Sequence, residues 1–172
     1  MSLKNARVLR IRNSVVSAGS GVVLLSLSMG LVGGVLWGVI RPAEKVQYYS
    51  DTQAAVLQET LEASFSGTVW FSCIAAIIGM VVGLGAFRIY PRLRSLGMEF
   101  WVGLCAALAS VVMVICGQMI GVYRQPDLTQ LQPGQVIEAV PQFRSYAALL
   151  VTPLVAMICY WAGLLATESV ES

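Results

Sequence analysis

The 172-residue chain is 57% hydrophobic and only 12% charged, whereas about a quarter of the residues in a soluble domain are charged. That balance places it outside the ordinary soluble class. The net charge of +2 is small, and no basic run interleaves with an exposed aromatic platform, so nucleic acid is not an expected partner.

No charged residue occurs in 13–40, 63–87, 100–123 or 145–167. Each run exceeds the ~20 residues with which a helix crosses a hydrocarbon core of about 30 Å. The sequence therefore predicts an all-α membrane protein, a four-transmembrane-helix bundle forming a single domain over 1–172. The spans fall near 14–40, 64–87, 98–122 and 145–166.

Before the first span lie Lys4, Arg7, Arg10 and Arg12 without an acid, and 88–97 carries Arg88, Arg92 and Arg94 against Glu99. The loops 41–63 and 123–144 hold Arg41, Lys45, Arg124 and Arg144 together with several acids. The excess of Lys and Arg on the first set predicts cytoplasmic N- and C-termini, a cytoplasmic loop at 88–97 and two outward loops. The first apolar run is longer than the ~7–15 residues of a secretory signal core and is followed by no clear small-residue cleavage site, so it is expected to be retained.

The first span ends at Trp37, a residue suited to the interface, before Arg41-Pro42, where proline stops the helix. Residues 43–49 then read as a short strand. Ser50-Asp51-Thr52-Gln53 matches a capping box, and Ala54, Leu57, Leu61 and Phe65 recur at helical spacing. These signals predict an outward amphipathic helix starting near Asp51 and leading into the second span. The short connection 88–97 predicts that spans two and three are antiparallel neighbours. Past the third span, Gln125-Pro126 and Pro133-Gly134 are turn signals. Residues 135–140 form a second candidate strand, and pairing it with 43–49 would add a two-stranded ribbon to a small extracytoplasmic cap.

Within the spans the clearest pattern is glycine at every fourth position: Gly30, Gly34 and Gly38, then Gly79 and Gly83, then Gly117 and Gly121. Such spacing opens a groove for close approach of another helix, either inside the bundle or on a partner or second copy. Gln118 is the bulkiest polar residue at membrane depth, with Ser26, Ser28, Ser72, Ser110 and Thr152 as smaller ones. Interhelical hydrogen bonds account for such groups. Inside the four uncharged runs there is no Asp, Glu, Lys, Arg or His to mark an ion or substrate path. Pro153, inside the fourth span, predicts a bend.

Candidate chemistry is sparse. On a helix starting at Asp51, Glu59 and Glu62 would share a face with Asp51, an arrangement able to hold a cation or serve acid and base chemistry. The plainer reading is a solvated face paired with nearby arginines and lysines. Cys73, Cys105, Cys116 and Cys159 all lie in spans, so no extracellular disulfide framework is expected. The chain has no histidine and no nucleophile-elbow or phosphate-loop spacing. No catalytic, metal or cofactor site is expected, and an enzyme is disfavoured.

Several landmarks recur in a known order: Val35-Leu36-Trp37-Gly38, Pro42-Ala43-Glu44-Lys45-Val46, the acidic and small stretch 59–67, and Phe143-Arg144 ahead of Leu149-Leu150-Val151-Thr152-Pro153-Leu154 and Tyr160. In this the chain resembles an actinobacterial family of four-span membrane proteins known only as a domain of unknown function. The resemblance implies a plasma membrane protein without assigned activity and carries over no catalytic residue. The expected role is a non-enzymatic accessory or scaffold subunit of a membrane or cell-envelope complex, surrounded by the lipid bilayer and bound to a membrane protein partner or to itself. The alternative is a small oligomeric transporter or channel component.

Overall fold

The computed structural model describes residues 3–50, 53–56, 61–124, 136–139, 143 and 145–171. Four long helices dominate it: α1 (Leu3–Ile40), α2 (Leu61–Ile89), α3 (Leu96–Tyr123) and α4 (Val151–Glu171). Each contains a segment long and apolar enough to cross a membrane, Val15–Ile40, Phe65–Ile89 and Leu96–Tyr123 in the first three, and Tyr146–Thr167 with the 3-10 turn that leads into α4. Leu24, Val32, Ile77, Leu104, Ile115 and Ile158 are each more than half exposed at mid-span. An apolar exterior of that extent suits lipid rather than water. The protein is an all-α four-helix membrane bundle.

The helices end where the sequence dictates. The Arg41 N–H still closes a turn on the Trp37 carbonyl at 2.9 Å, and Pro42 then lacks the donor to continue. At the other end of the bundle, Pro91–Leu93 forms one 3-10 turn after α2. Ser95 caps α3, its hydroxyl accepting from the Met98 N–H.

Sequence neighbours are not the principal packing partners. Most helix contact joins α1 to α3 and α2 to α4, while α2 and α3 touch sparingly despite their short connection. α2 and α3 are antiparallel and in contact, as the short connection 88–97 predicts, but their contact is slight: the turn 90–95 sets their opposite directions, while small residues decide which helices pack closely. α1 and α3 run in the same direction, as do α2 and α4.

A small antiparallel sheet sits at the end where α1 stops and α2 begins. Its strands are β1 (Glu44–Ser50), β2 (Gln53–Val56) and β3 (Val136–Ala139), in the order β2-β1-β3. β1 and β3 pair from Glu44↔Ala139 to Gln47↔Val136, the ribbon anticipated from the sequence. The helix expected from Asp51 is replaced by β2, which folds back on β1 from Val46↔Val56 to Ser50↔Gln53, with a one-residue register shift between Tyr48 and Ser50. β1 carries Val46, Tyr48 and Tyr49 and, paired with β3 alone, would leave its other edge open. Pairing with it satisfies the backbone of 53–56, and the capping-box signal at Ser50 is overridden.

Pro153 does not bend a helix. Residues Tyr146–Leu150 form a 3-10 turn, and α4 starts at Val151. Pro153 therefore sits in the first turn, where a helical N–H has no intrahelical partner to lose.

Candidate functional site

The predicted glycines lie at two seams. On α1, a Cβ at Gly30 would stand 2.5 Å from the Ala109 carbonyl oxygen, one at Gly34 2.7 Å from that of Met113, and one at Gly38 3.1 Å from that of Gly117. Each step of four on α1 meets a step of four on α3, the signature of two parallel helices whose i, i+4 rows interlock. On α2, a Cβ at Gly79 would be 2.5 Å from the Thr152 carbonyl oxygen, and one at Gly83 would run into that of Ala156. Gly117 makes room for the Trp37 ring, and Gly121 is buried with its carbonyl accepting from the Arg124 N–H. Six of the seven glycines therefore face other helices of this same chain, and Gly121 is buried.

A buried aromatic clasp closes the sheet-bearing end. Trp37 is fully buried rather than interfacial, and its indole N–H donates to the Gly67 carbonyl at 2.8 Å. Phe71 and Phe143 meet the indole edge-on with centroids at 5.3 and 5.4 Å. The Arg41 guanidinium lies 4.7 Å from the Trp37 ring centroid. From the end of α3, Arg124 donates to the carbonyls of Gly38, Val39 and Arg41 at 3.0 to 3.2 Å. It thereby supplies a cation to the negative end of α1. Thr68 and Ser145 hydroxyls, 3.2 Å apart, tie α2 to the segment before α4. Three helices and the entry to the fourth are joined within a few residues of the sheet. The interfacial tryptophans are instead Trp70, Trp101 and Trp161, each at least 40% exposed.

Polar groups at membrane depth divide into two kinds. Ser72 and Ser110 donate to carbonyls in the preceding turn of their own helices, and Ser26 and Thr152 are buried without a hydrogen-bond partner among the described residues. Gln118, by contrast, is exposed on the outer face of α3 between Ile115 and Val122. The four cysteines are free, with Cys73 exposed and Cys105 buried.

Of the acidic face, Asp51 and Glu59 lie outside the described residues, and Glu62 is placed only as a helical position in the first turn of α2. Strand β2 interrupts the helix that was to align them, so helical spacing from Asp51 to Glu62 no longer applies. Among the described residues no three His, Cys, Asp or Glu side chains gather to hold a metal ion.

The clasp was not foreseen. Its one signal in the sequence was a tryptophan four residues before an Arg-Pro helix stop, which also fits an interfacial anchor.

No known protein family, curated protein or solved structure matches this chain.

Proposed function

We propose that the protein is a non-enzymatic accessory or scaffold subunit of the plasma membrane, with both termini cytoplasmic and the sheet outside, that binds another membrane protein or a second copy through α3. The observation carrying this reading is the outward-facing amide of Gln118. It lies five residues before the end of α3 at Tyr123, about 7–8 Å from the helix end at 1.5 Å per residue and so near the edge of the hydrocarbon core. An amide at that depth gains from a hydrogen-bonding helix, typically by about 0.6–2 kcal/mol. Val111, Ile115 and Val122 share its stripe, all exposed, and offer the apolar part of such a contact.

The glycine faces first expected to hold the partner are used within the chain, so a partner surface has to lie elsewhere. Arg and Lys concentrated in 4–12 and 88–94 support the orientation. The resemblance to the actinobacterial four-span family fits this reading.

Co-purification from membranes in mild detergent tests it. The wild-type chain is expected to retain a stoichiometric protein partner or a second copy, and Gln118→Leu to lose it while its thermal unfolding midpoint stays in place. Retention by Gln118→Leu equal to wild type contradicts the proposal. Solute or ion flux through the purified chain in liposomes would favour a transporter component instead.

A further inference from the structure

At the end opposite the sheet, a groove of about 630 Å³ lies between the first turns of the α1 span and the start of α3, within the ~300–1,000 Å³ typical of ligand clefts. Val15, Val16, Gly19 and Val23 form one wall, and Met98 and Trp101 the other, with Ser20 and Ser95 as polar members. The indole N–H of Trp101 donates to the Gly19 carbonyl at 3.2 Å, which fixes the ring as a wall. Gly19 leaves the space open, since a Cβ there would sit 3.5 Å from that indole nitrogen, in ordinary contact.

An arginine precedes each wall in the sequence. Arg12 is a helical position one turn before Val15 and Val16, on the stripe that continues through Gly19 and Val23. Arg92, exposed, precedes Leu93 of the lining. The acids at this end belong to the opposite side. Glu99 is within electrostatic reach of the buried Tyr160 of α4, and the next turn, at Gly103, packs on Met157 of α4. Glu168 and Glu171 are themselves in the last turn of α4.

An apolar slot that begins at the first residues of two spans, each preceded in sequence by an arginine, matches an acyl chain below a phosphate. We infer that this groove binds one anionic phospholipid, its acyl chain between α1 and α3 and its phosphodiester toward Arg12 and Arg92. The inference rests on the helices spanning a bilayer and is independent of the scaffold role. Each arginine near an anionic headgroup contributes about a fivefold preference.

Native mass spectrometry of the full chain in neutral detergent, titrated with dioleoyl phosphatidylglycerol or dioleoyl phosphatidylcholine, tests this. One bound phosphatidylglycerol is expected, held at least tenfold more tightly than phosphatidylcholine. Arg12→Gln and Arg92→Gln should each reduce that preference about fivefold without lowering helicity. Val16→Trp, which fills the slot from an exposed position, should remove both lipids. Equal affinity for the two lipids, a preference unchanged in both arginine variants, or a protein chain rather than a lipid displaced by Val16→Trp would overturn the inference.

Discussion

Trp37 joins α1 to α2, to α3 and to the segment before α4. Its ring fills the space above Gly117, and its N–H donates to the Gly67 carbonyl across the α1–α2 contact. Trp37→Phe keeps an aromatic ring but removes that buried hydrogen bond, a loss of about 0.5–1.5 kcal/mol. The expected result is a lower unfolding midpoint in detergent with unchanged helix content, read by circular dichroism. At this scale the sequence was only partly legible. A tryptophan near a helix end fits both an interfacial anchor and a buried clasp, and the distinction depends on Phe71 and Phe143, which are far away in the chain. Gln118 was visible as a polar residue in a span, whereas its outward direction depends on which face of α3 the α1 seam occupies.

The helices were legible because charges are excluded from hydrocarbon, and so the boundaries of α2 and α3 fall within a few residues of the uncharged runs. Pairing of β1 with β3 was legible from strand composition. β2 was not, because Ser50 and Gln53 carry a helix-start signal whose worth, about 1 kcal/mol, is outweighed when an open strand edge lies next to the chain. Pro153 teaches a similar lesson. Its place in the middle of an uncharged run suggests a kink, but a 3-10 turn takes up residues Tyr146–Leu150 and leaves the proline in the first turn of α4. Pro153→Ala is therefore expected to change stability by less than about 1 kcal/mol, against the ~3 kcal/mol attached to a proline in a helix interior. A thermal shift series on the purified variant distinguishes the two.

Across the whole molecule, two parallel helix pairs, α1 with α3 and α2 with α4, meet along glycine seams, and a clasp of aromatic and arginine side chains binds their sheet-bearing ends. Glycine spacing marked the seams in advance but left their partners open, since the same i, i+4 pattern serves contacts within a chain and between chains. The central claim is that these seams are internal. Gly34→Cys tests it most directly in a chain that keeps Cys116 and has Cys73, Cys105 and Cys159 changed to Ala. A Cβ at Gly34 would lie 2.8 Å from the Cys116 Cβ, so parting α1 and α3 by about 1 Å allows a disulfide. Oxidation in membranes is predicted to give a monomer-sized band whose thiols resist alkylation and become reactive on reduction. A disulfide-linked dimer, with no protected monomer, would contradict the account.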